Sequence, residues 1–107
     1  MKGSEKQIEW ATKILRSITA NAAETKNKII FKIEMRCEKR PEKAEIIRAS
    51  YAEDLGYIDE VFSYAEKVSE ASRVIDLRLT ADKASEGMAA NWREIATDVA
   101  LMAGIRL

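Results

Sequence analysis

Apolar residues recur along this chain at spacings of three and four, the signature of helices that bury one face. The first such stripe is Ile8, Ala11, Leu15, Ile18 and Ala22. Ahead of it, Ser4 and Gln7 stand in capping-box spacing: the serine hydroxyl can accept the Gln7 amide proton while the Gln7 side chain returns to the Ser4 amide. A first helix is predicted from Ser4 to about Ala23.

Between Lys28 and Glu38 two periods coincide. Ile29, Phe31, Ile33, Met35 and Cys37 alternate with Lys32, Glu34, Arg36 and Glu38 as in a strand, yet Ile30, Ile33 and Cys37 form a helical stripe among good helix formers. Helix is preferred, because the strand's best partner, Ile75, Leu77 and Leu79, would give a two-stranded ribbon that is marginal without packing support. Pro41 places a boundary near residue 40, since its missing amide proton costs nothing in a first turn. Ala44, Ile47, Tyr51 and Leu55 make the next stripe, with Gly56 placed as its C′ stop. Val61, Phe62, Ala65, Val68, Ser72, Ile75 and Leu79 then keep to one narrow sector, which predicts a long helix over 57–79. Met88, Trp92, Ile95, Ala96, Val99, Met102 and Ala103 form the last stripe, closed by Gly104, with Trp92 in the core. The predicted fold is all-α, a single domain over 1–107 built as a bundle of four or five helices. The alternative is an α+β variant with a ribbon at 28–38 and 73–79.

Composition adds mainly exclusions. With 107 residues, 47% hydrophobic and 34% charged, one Pro and four Gly, the chain can bury a modest core and has little room for linkers. It has no histidine, and Cys37 is its sole cysteine, which rules out an internal disulfide framework, a multi-cysteine zinc site and imidazole acid–base chemistry. No metal or cofactor is expected. Without a Gly-rich phosphate loop or a nucleophile elbow, no enzyme is expected either. Carboxylate pairings such as Glu66 with Glu70 are what any helix surface supplies, and Cys37 falls within an apolar pattern that suits an inert thiol. The lone cysteine, the absence of a signal-peptide core and the absence of a long apolar run fit a soluble cytoplasmic protein away from membranes.

The net charge of zero hides a division. Residues 1–43 carry eleven basic and six acidic side chains, and residues 44–107 carry seven and twelve. Such halves can neutralise each other within one fold or between two copies in a homodimer. The densest basic run, Arg36, Lys39, Arg40 and Lys43, has a spacing that could face a nucleic-acid backbone, with Lys26, Lys28 and Lys32 extending it. Glu38 and Glu42 are spaced to pair with these bases, which would make the run a solvated face.

Trp10 is the least ordinary residue. At 100° per residue it lies about 120° from the centre of the Ile8–Ala11–Leu15 stripe, beside Ile14 and among Lys6, Lys13, Ser17 and Asn21. Two roles fit: a lid flanking the core, or an anchor for a protein partner, with Trp10 and Ile14 giving the apolar contact and Lys6 and Lys13 steering an acidic surface.

The stretch Gly3–Ala11, GSEKQIEWA, resembles the opening of a group of small helical proteins encoded by Firmicutes-type bacteria, their phages and mobile elements. Ala71–Arg78 keeps the Ala, Ile, Asp and Arg of a second stretch of that group and lacks its aromatic pair and Asn. The resemblance implies a helical fold and a phage or mobile-element setting, where small proteins often inhibit host defence, as anti-CRISPR proteins do, or associate with DNA. It carries over no catalytic residue. The function expected is a non-enzymatic protein-interaction module, an inhibitor or adaptor, with nucleic-acid binding through the basic N-terminal half as the alternative.

Overall fold

The computed structural model describes residues 1–106. They form five α-helices, α1 (Glu5–Lys39), α2 (Ala44–Ala65), α3 (Ala71–Asp76), α4 (Thr80–Ala84) and α5 (Trp92–Met102), with 3-10 turns at Pro41–Lys43 and Gly87–Ala89. The all-α expectation holds, and no strand forms among the described residues.

The helix ends follow local chemistry. Ser4 Oγ accepts from the Gln7 N–H at 3.2 Å and Gln7 Oε1 accepts from the Ser4 N–H at 3.0 Å, closing the capping box of α1. Pro41 opens the turn that reverses the chain. Gly104, at φ 75°, takes the left-handed conformation that follows the end of α5.

Three expected boundaries move. Helix α1 does not stop near Ala23 but continues to Lys39, so the segment 28–38 is helical and the ribbon alternative is overturned. Ile29 is buried and Ile33 and Cys37 are half-buried at helical spacing, while Phe31 and Met35, which completed the strand pattern, point to solvent. Gly56 does not terminate α2. Its φ is not positive, and Ile58 and Val61 beyond it extend the buried stripe to Ala65. The long helix over 57–79 is interrupted between Ala65 and Ala71. There the N-terminal segment intervenes: Lys2 N–H donates to Ser69 C=O at 2.7 Å, and Ala71 N–H donates to Lys2 C=O at 2.9 Å. Backbone groups bonded to another segment cannot also extend a helix. The expected stripe does not carry across the gap: Ser72 and Leu79 face solvent and Ile75 is half-buried, while Ala71 and Val74 are the α3 residues that enter the core.

That core is one cluster. Ile14, Ile18, Ala22 and Ile29 of α1 meet Ile58 and Val61 of α2, Val74 of α3 and Trp92, Ile95, Val99 and Met102 of α5. Trp92 is the largest fully buried side chain, as expected, and its indole N–H is satisfied by Gly87 C=O at 2.9 Å. All of this lies at one end. From residue 30 to residue 57 nothing is buried, so the far part of α1 and the near part of α2 project as a two-helix arm from a compact body. The whole measures 55 × 23 × 18 Å.

Candidate interaction surfaces

Trp10 lies on the body. The buried stripe of α1 is centred on Ala11, Ile14, Ile18, Ala22, Thr25 and Ile29, displaced toward Trp10 from the one anticipated, and Leu15 is only half-buried. Ile14 is consequently 8% exposed and packs in the core, which corrects its expected place beside Trp10 on an outer surface. Trp10 itself remains 48% exposed. The Arg78 guanidinium carbon stands 5.9 Å from its ring centroid, in cation–π range, while Arg78 Nη1 donates to Ile75 C=O at 3.0 Å. The turn after α3 therefore steadies an indole that leaves about half its surface to solvent. Lys6 is exposed nearby in sequence, and Lys13 pairs with Glu9 at 3.5 Å. Sequence reasoning missed Arg78, which approaches Trp10 only through tertiary packing.

The basic run occupies the end of the arm. Arg36, Lys39, Arg40 and Lys43 line a groove of about 310 Å³ together with Ile47. Arg36 Nη1 donates to the Tyr51 hydroxyl at 3.1 Å with its guanidinium carbon 5.9 Å from that ring, so α2 orients one cation of the four. The anticipated pairing with Glu38 and Glu42 does not form: among the described residues none of these four cations is in an ion pair. The flanking lysines divide. Lys26 pairs with Asp59 at 2.7 Å and Lys28 with Glu24 at 3.0 Å, whereas Lys32 is exposed.

A second arm groove, of about 390 Å³, is floored by Ile30, Ile33, Cys37, Ala52 and Leu55 and walled by Glu34 and Arg48. Cys37 is a half-buried free thiol 4.0 Å from Ala44 C=O. The sequence held a signal for this groove, since Arg48, Ala52 and Leu55 fall on one side of a helix, but nothing local said that no third element would cover it.

Ionisable side chains converge closely at one further place. Thr80 hydroxyl donates to Asp98 Oδ2 at 2.9 Å, and Lys83 Nζ lies 3.0 Å from the same oxygen and 2.7 Å from Glu94 Oε1. Hydrogen bonds to Glu94 first and Asp98 second raise the Lys83 pKa above its ordinary 10.5. A lysine held protonated is a poor nucleophile, and the cluster serves to tie α4 to α5. Among the described residues no three Cys, Asp or Glu side chains are arranged to hold a metal ion, and no helix is long and apolar enough to cross a membrane. Compared with known protein families, curated proteins and solved structures, the chain shows no significant match.

Proposed function

We propose that this chain is a non-enzymatic protein-interaction module that engages an acidic partner surface through Trp10. The observation that carries the reading is an indole 48% exposed on a rigid helix and steadied by Arg78. An aromatic held in place before contact loses little conformational freedom on binding, which is why such residues dominate interface energetics. Arg78 takes the place beside the indole expected of Ile14, with Lys6 supplying positive charge and Lys13 shared with Glu9. The resemblance of Gly3–Ala11 favours a phage or mobile-element setting, in which the module acts as an inhibitor or adaptor.

The test is affinity capture from nuclease-treated bacterial lysate with the native chain and with Trp10→Ala. A specific protein retained by the first and lost by the second is expected, with the unfolding midpoint lowered by no more than about 5 °C because the ring is already half-solvated. Identical retained proteins, or collapse of the fold in Trp10→Ala, overturn the reading.

A second reading, nucleic-acid binding at the arm's end, has its own support in four cations lining one groove without an ion pair among the described residues. Its mark in the same experiment is retention only when nuclease is omitted, falling steeply as salt rises.

A further inference from the structure

We propose that the apolar groove of the arm, between α1 and α2, is covered by a second copy of this chain. Two helices packed side by side bury a single seam, and here even that seam holds no fully buried residue between 30 and 57. Ile30 stays 38% exposed, and it shares a groove of about 390 Å³ with Ile33, Cys37, Ala52 and Leu55. A helical hairpin with an uncovered apolar groove is half of a four-helix bundle, and a second hairpin completes it.

The charges on the groove walls select the occupant. Glu34 stands on α1 and Arg48 on α2, and neither takes part in an ion pair among the described residues, with each other or with any neighbour. A groove built for a uniformly acidic or basic partner would carry one sign on both walls. One acid facing one base is self-complementary. A twofold axis running along the arm lays each α1 over the other copy's α2, bringing Glu34 of each copy to Arg48 of the other, with the same patch used on both sides. Zero net charge means that two copies meet without long-range repulsion. The groove begins about 30 Å along α1 from Trp10, taking 1.5 Å per residue over twenty residues, so this inference stands apart from the partner surface proposed above.

Sedimentation equilibrium of the full chain over a concentration series tests it, using the native protein, Glu34→Arg, Arg48→Glu and the double exchange. The native chain is expected to dimerise. Each single reversal sets like charges against each other across the axis and should raise the dimer Kd at least about tenfold. The double exchange restores opposite signs and should return Kd to within about threefold of native, which also shows that the single variants did not lose the interface by failing to fold. A native chain still monomeric at about 1 mM overturns the proposal. So does a dimer indifferent to both single reversals, a double exchange that fails to restore association, or a monomer whose groove takes up a foreign peptide instead.

Discussion

Gly56 sits inside α2 with ordinary helical backbone, and nothing lies within 4 Å of where a Cβ would stand. Its missing side chain therefore costs helix stability and returns no packing or turn. Gly56→Ala should stabilise the protein by about 0.5–1 kcal/mol, read as a higher urea midpoint with an unchanged slope. A loss of stability would mean that Gly56 serves a contact or motion the fold does not display. The residue looked like a helix stop because it follows an apolar stripe. Whether a glycine ends a helix depends on the residues beyond it, and Ile58 and Val61, both fully buried, find partners only if the helix continues. Trp10 teaches the same lesson from the other side. Its angle on the helical wheel was legible, but the centre of the buried stripe was not, because Ile14 and Leu15 compete as neighbours and only the packing of α2, α3 and α4 against α1 decides between them.

Among the elements, α4 is the least self-sufficient, since five residues lie far below the length at which an isolated helix persists. Its tie to α5 runs through Asp98, which accepts from Thr80 and pairs with Lys83. Asp98→Ala leaves the Thr80 hydroxyl, on a residue only 1% exposed, without its acceptor, and should cost about 1–3 kcal/mol in chemical denaturation. Lys83 contributes less, because its side chain is 41% exposed and solvent screens its pairs. Lys83→Met should cost no more than about 1 kcal/mol at pH 7. The pH dependence has a definite sign. Folding raises the Lys83 pKa, so its contribution is fully present below the unfolded lysine value and fades as pH climbs through the higher folded value. The gap between native and Lys83→Met stability should therefore hold constant from pH 7 to about 9 and shrink only in stronger alkali. A gap that closes below pH 9 would assign the effect to another group.

At the scale of the molecule, the body and the arm differ in how they are held. The body encloses the whole buried cluster, and the arm relies on two helices and their half-buried seam. In dilute protein, amides of 31–39 and 44–57 should exchange with solvent at least about tenfold faster than those of α5 and of α1 before Ile29, because the arm can open without disturbing the core. Uniform protection across the chain would show that arm and body open as one unit.

Much of this architecture follows from residues close together in the chain. The start of α1 at Ser4, the turn at Pro41 and the close of α5 at Gly104 each rest on backbone hydrogen bonds or torsions that the local side chains dictate. Trp92 is core for a comparable reason: it opens a short, strongly one-sided helix on the face that Ile95, Ala96, Val99 and Met102 share. Tertiary structure decided the rest. It chose helix over strand at 28–38 by offering α2 as the packing partner, and it broke the chain between Ala65 and Ala71 through the hydrogen bonds of Lys2. It also placed Arg78 over Trp10 and left the arm's groove without a third helix, because contacts between distant segments have no image in local periodicity.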